Sequence, residues 1–104
     1  MSQMFGLAKE TIEKINSVFA KYPKISIVVI YGSRAKGTNK PGSDIDLVIF
    51  SDDFSLSELM SVENELDDLL LPYSIDLSNY ANIEDESLLS HIARAGKTFY
   101  LRGG

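Results

Sequence analysis

Residues 32–47 read Gly-Ser-Arg-Ala-Lys-Gly-Thr-Asn-Lys-Pro-Gly-Ser-Asp-Ile-Asp-Leu, and they follow the apolar, β-branched run 24–31, Lys-Ile-Ser-Ile-Val-Val-Ile-Tyr. The run has strand length, so Gly32 and Ser33 fall where the strand ends and the chain turns. Gly32 lacks the Cβ that would keep an anion from the main chain, and the amides of 32–34 can form a small anion nest. Ser33 adds a hydroxyl, and Arg34 and Lys36 add positive charge on a short helical turn over 33–36. A Gly-Ser pair alone is only a strand-end turn. The acids that follow change its meaning.

Side chains alternate along a strand, so Asp44 and Asp46 share one face while Ile45, Leu47 and Ile49 take the other. Val48 and Phe50 then continue the acids' own face as apolar residues, which puts the two carboxylates at the end of a buried strand. In Tyr73-Ser74-Ile75-Asp76-Leu77-Ser78, Asp76 likewise faces away from Ile75 and Leu77. If the two strands are neighbours, three carboxylates meet. At an effective dielectric of about 20 such a cluster carries several kcal/mol of repulsion, which protons, bases or cations must relieve. Mg²⁺ suits it, because that ion takes oxygen ligands and shares itself between carboxylates and substrate phosphates.

The order Gly32-Ser33, ten residues, Asp44-Ile45-Asp46 on a strand resembles the signature of the nucleotidyltransferase superfamily that includes DNA polymerase β. The form GSRAKGT…GSDIDLVIF is most similar to the minimal nucleotidyltransferases, small proteins often encoded beside a helical HEPN-domain partner. The third acid, the last helix and the ending Gly96-Lys97-Thr98-Phe99-Tyr100-Leu101 extend the likeness over nearly the whole chain. Thr38 departs from it, standing where many relatives carry Asp or a small residue. The resemblance implies a nucleotidyltransferase fold and two Mg²⁺ ions on Asp44, Asp46 and Asp76. It implies ATP as donor, with Gly32, Ser33, Arg34 and Lys36 on its phosphates and AMP as the transferred group. It further implies an acceptor hydroxyl on a HEPN partner, with this chain as the antitoxin of the pair. Two readings without turnover stand beside this one: a module that regulates its partner by contact, and a nucleotide sensor.

Composition narrows the field. At 104 residues the chain reads as one domain over 1–104, small for an enzyme with its own acceptor pocket. Together with the HEPN partner that the resemblance implies, this small size makes a hetero-complex expected, with the third helix and the tail carrying Phe99 and Tyr100 as the contact. A formal net charge of −5 argues against broad binding to duplex nucleic acid, which needs an excess of Lys and Arg. Arg34, Lys36 and Lys40 instead read as a local steering patch for a triphosphate. The chain has no cysteine, no basic and apolar leader and no run of the ~18 apolar residues that span a bilayer, so a cytoplasmic protein is expected.

The remaining pattern predicts helices at 7–22, from the Ser55/Glu58 capping box to Pro72, and over about 84–95 with Gly96 as its stop. Helices alternate with strands, which gives an α/β (α+β) domain with helices packed on the sheet. About twelve residues between the first two strands are few for a helical crossover, so a small mixed sheet is expected. His91, the sole histidine, has no partner for a triad or a His-based metal site and is expected at or near the surface.

Overall fold

The computed structural model describes residues 3–51 and 53–103. Residues 1, 2, 52 and 104 of the expected domain lie outside the described residues. The chain begins with a hairpin, β1 (Gln3–Met4) and β2 (Leu7–Ala8), turned by Phe5 and Gly6. Both turn residues have positive φ, +60° and +72°, as tight two-residue hairpins use. Leu7 and Ala8 are thus spent on strand pairing, and the helix predicted from residue 7 starts two residues later as α1 (Lys9–Ala20). At its far end Arg102 donates to the Ala20 and Tyr22 carbonyls at 3.2 and 2.8 Å, supplying donors the helix itself lacks.

The sheet follows as β3 (Ile25–Tyr31), the single turn α2 (Ser33–Lys36), β4 (Ile45–Ser51), α3 (Leu56–Asp67), β5 (Ile75–Asn79), a 3-10 turn at Tyr80–Asn82, α4 (Glu86–Ala95) and β6 (Lys97–Leu101). Its order is β5-β4-β3-β6. β3 runs antiparallel to both β4 and β6, whereas β4 and β5 are parallel across α3. The mixed sheet expected from the short first connection is therefore present.

Both faces are covered. Val28, Ile30, Ile45, Leu47 and Ile49 bury against Ile15, Val18 and Phe19 of α1 and Val62 and Leu66 of α3. On the other face Tyr31 and Val48 pack with Ile92 of α4, helped by Val29, Phe50 and Leu88. Continuous rather than alternating burial along β4 follows from this double cover. The α3 capping box forms as predicted, but the helix ends at Asp67, well before Pro72. Asp67 and Asp68 place negative charge at the negative end of its dipole, and Leu70 turns the chain at φ +54°. Leu70, which the helix predicted to run to Pro72 would have included, is 87% exposed as a result.

Phe99 is buried, 5.9 Å from the Phe5 ring, and Tyr100 packs 5.7 Å from Phe19. These two aromatics close the core, so they do not supply the exposed contact surface expected of the tail. Among the described residues no helix is long and apolar enough to cross a membrane.

Candidate active site

Gly32 ends β3 at φ +78° and ψ −156°, a combination open essentially only to glycine. A second constraint acts there. The space that a Cβ would need is taken by the Asp46 carboxylate. Asp46 reaches it because it pairs with Tyr31 across β3 and β4. The glycine of the turn and the second acid of the Asp-x-Asp pair are therefore one packed unit.

The chain after Gly32 is folded back tightly. Thr38 donates its N–H to Ser33 O at 3.0 Å, past Gly37 in the left-handed region at φ +79°. Lys40-Pro41-Gly42-Ser43 then forms a reverse turn, with Ser43 N–H on Lys40 O at 3.0 Å and Gly42 at φ +85°. Pro and Gly at those two central positions fit a type II turn. Ile45 N–H on Ser74 O at 2.9 Å then ties the start of β4 to β5.

Arg34 holds this loop. Its Nε and one terminal nitrogen donate to Ser43 O at 3.1 and 2.9 Å, and the other donates to Phe5 O at 2.9 Å. The guanidinium lies 4.9 Å from the centre of the Tyr73 ring, and the residue is 2% exposed. Arg34, expected on phosphate, here spends three of its five N–H donors on two carbonyls and ties the loop to the N-terminal hairpin. Lys36, by contrast, is exposed, and Ser33 is half-buried.

Asp46 stands in register with Asp76 on the parallel pair β4 and β5. Asp44 and Asp76 are exposed and Asp46 is half-buried. Burial pushes the Asp46 carboxyl above the usual carboxylate range, the Asp76 and Asp44 charges push it further, and His91 works against them. Among the described residues no three His, Asp or Glu side chains are already gathered into a ready metal cage. The donor chemistry nevertheless fits a hard divalent cation: all three groups are carboxylates, and Asp46 carries a charge that burial and two like neighbours disfavour.

His91 was not legible as a site residue. Its Nε2 accepts the Gly32 N–H at 3.1 Å, and its ring meets Tyr31 edge-on with centroids 6.1 Å apart. The Gly32 amide, expected to point outward as part of an anion nest, is therefore engaged inside the protein. The only hint in the sequence was that a lone histidine fell on the same helix as Leu88 and Ile92. Tyr80, in turn, stacks on Phe50 with centroids 4.3 Å apart, beyond the opposite end of β4 from Asp46.

The family described as polymerase beta, nucleotidyltransferase, matches residues 13–103, which include the glycine turn, all three acids and α4. The chain belongs to that family. A candidate protein adenylyltransferase of Methanocaldococcus jannaschii is 36% identical over 63 residues, 60% of this chain and 64% of that protein. The chain thus matches less than two thirds of that relative's length. In three dimensions the chain is similar to a crystal structure of a toxin–antitoxin pair with AMP-PNP, at TM-score 0.71 and 21% identity over 88% of this chain and 74% of the other. A complex of tri-AMPylated Shewanella oneidensis HEPN toxin with its MNT antitoxin gives TM-score 0.65 at 18% identity, covering 88% and 70%. These structural likenesses establish the nucleotidyltransferase fold.

Proposed function

We propose that this chain is a Mg²⁺-dependent nucleotidyltransferase that moves AMP from ATP to a hydroxyl of a helical HEPN-type partner, and that it acts as the antitoxin of that pair. The observation that carries the reading is the packing of Asp46 under Gly32 and beside Asp76 at the end of the sheet. Family membership supports the reaction class. The archaeal relative's name supports a protein acceptor, and the complexes with AMP-PNP and with AMPylated toxin support the donor and partner.

Asp44, Asp46 and Asp76 would hold the divalent ions, which when bound neutralise phosphate charge and lower the pKa of the attacking hydroxyl. The chain's own groups do the rest. Gly32, by carrying no Cβ, leaves the acid and the phosphates one shared space. Ser33 donates its hydroxyl to a phosphate oxygen, and Lys36 offsets charge on the departing group. Asp76 accepts the proton of the acceptor hydroxyl. The new bond joins acceptor oxygen to the α-phosphorus, the bond from that phosphorus to the bridging oxygen breaks, and pyrophosphate leaves with the electron pair.

The test is to incubate the chain with Mg²⁺, a HEPN-type partner from the same genome and ATP labelled at either the α- or the γ-phosphate. Label on the partner from α-labelled ATP, with γ-label leaving as pyrophosphate, supports the proposal. Transfer of γ-label, or of neither, overturns it.

A further inference from the structure

The sheet order sorts charge across the end that carries the glycine turn. Asp76 and Asp46 stand on β5 and β4, and on the other side of β3 Lys97 opens β6 opposite Ile30. Next to Lys97 lies an open cavity of about 460 Å³, bounded by Ala35 and Lys36 of α2, Arg94 and Ala95 at the end of α4, and Gly96. Three of the ten Lys and Arg of a chain with net charge −5 thus surround one space.

Among the described residues no ion pair uses that charge. The ion pairs among the described residues engage Lys9, Lys21 and Lys24, and none engages Lys36, Arg94 or Lys97. Arg94 spends Nε on Ser90 Oγ at 3.3 Å, and its terminal nitrogens make no hydrogen bond among the described residues. The corner that presents Arg94 and Lys97 is tightly built. A Cβ on Gly96 would lie 2.5 Å from Ile92 O and 2.6 Å from Val29 Cγ1, so only glycine lets α4 pass into β6 this close to the sheet.

We propose that this cavity seats the terminal phosphates of the nucleoside triphosphate, with Arg94 and Lys97 as binding residues that favour a triphosphate over a monophosphate. The assignment rests on the nucleotidyl-transfer reading and adds to it two residues from the last helix and the edge strand. Lys36 stands one helical turn from Ser33, so a phosphate chain that starts at the turn meets Lys36 next and the two facing cations after it. The opposite course would bring it against Asp44, Asp46 and Asp76. The first path offers the polyanion this chain's own cations, while the second offers only carboxylates whose bound ions would already serve the reacting phosphate.

The test compares the wild-type chain with an Arg94→Ala/Lys97→Ala variant by calorimetric titration of Mg²⁺-ATP, AMP and inorganic tripolyphosphate, with melting temperature as the control for folding. The expected result is an ATP affinity about tenfold or more lower in the variant, which is about 1.4 kcal/mol. Tripolyphosphate binding should be lost, with AMP affinity and melting temperature unchanged. Equal ATP and tripolyphosphate affinities in the two proteins, or an equal loss for ATP and AMP, overturn the assignment. If the variant fails to fold, Lys97→Gln alone must show the same selective loss, and its absence is equally decisive. Tripolyphosphate binding that depends on these cations in a chain that never transfers AMP would retain the cavity and refute the transferase. Transfer that proceeds while tripolyphosphate ignores the cations would do the reverse.

Discussion

The Gly32 N–H donates to His91 Nε2 across 3.1 Å, joining residues 59 positions apart. The amide of the turn is thereby fixed by α4 on one side while the Asp46 carboxylate occupies the Cβ space on the other. The conformation of the glycine turn is over-determined by two elements distant in sequence, which is how a glycine-only backbone geometry persists.

Replacing His91 with Leu removes the acceptor and leaves a half-buried amide unpaired, at a cost of about 1 to 3 kcal/mol in stability. Gln at the same position keeps an acceptor oxygen. The Gly32 amide is expected to exchange rapidly with solvent in His91→Leu and to remain protected in His91→Gln, as read by amide hydrogen exchange. ATP affinity should fall in the first variant and recover in the second. Protection in both variants would show that the bond does not hold the turn.

A Cβ at Gly32 meets two penalties together, the positive φ and the clash with Asp46. Gly32→Ala should lose at least about 1 to 3 kcal/mol of stability and essentially all nucleotide binding. Denaturant unfolding and ATP titration check it, and wild-type affinity for ATP would contradict the shared-space geometry.

Arg34 is expected to behave as a structural residue. With its fork on Ser43 O and Phe5 O and its face toward Tyr73, Arg34→Lys cannot reproduce the bidentate contact and should unfold at about 2 to 3 kcal/mol less stability. An Arg34→Lys chain as stable as wild type but unable to bind ATP would return this residue to the phosphates.

Asp46 gives the pH dependence. Its folded-state pKa is raised, chiefly by burial, so between the ordinary carboxylate value and the raised one the folded chain binds more protons than the unfolded chain. Stability without divalent cation therefore falls as pH rises through that window. Asp46→Asn should melt above wild type at neutral pH, and the gap should close toward acid pH, where wild-type Asp46 is itself protonated. Mg²⁺ with ATP should raise the melting temperature of wild type alone. Identical melting curves for the two chains at every pH would remove the electrostatic strain from the account.

Asp46, Asp76 and the sheet were legible because strand alternation is a local rule: Asp46, Val48 and Phe50 had to share a face, and the short loop to β4 was a tight allowance for a parallel pairing with β3. Asp44 lies just before β4, outside that rule. Arg34 and His91 were not legible, for a common reason. Their roles depend on partners supplied by tertiary contact, Phe5 O from the N-terminal hairpin and the Gly32 amide from another element, and residue type alone does not identify these. Periodicity likewise overran both ends of α1 and the end of α3. Leu7 and Ala8 fit a helix as well as a strand until Phe5 and Gly6 turn the hairpin, and Leu70 fits the α3 stripe until the chain reverses at that residue.

The most direct test of the central claim is the intact mass of a HEPN-type partner after incubation with ATP, Mg²⁺ and this chain, run in parallel with Asp44→Asn, Asp46→Asn and Asp76→Asn. The expected result is a partner heavier by whole AMP units with the wild-type chain and unchanged with each variant, while all four proteins remain folded by circular dichroism. A partner modified equally by wild type and by the folded Asp46→Asn chain, or left unmodified by the wild type while bound to it, would contradict the claim.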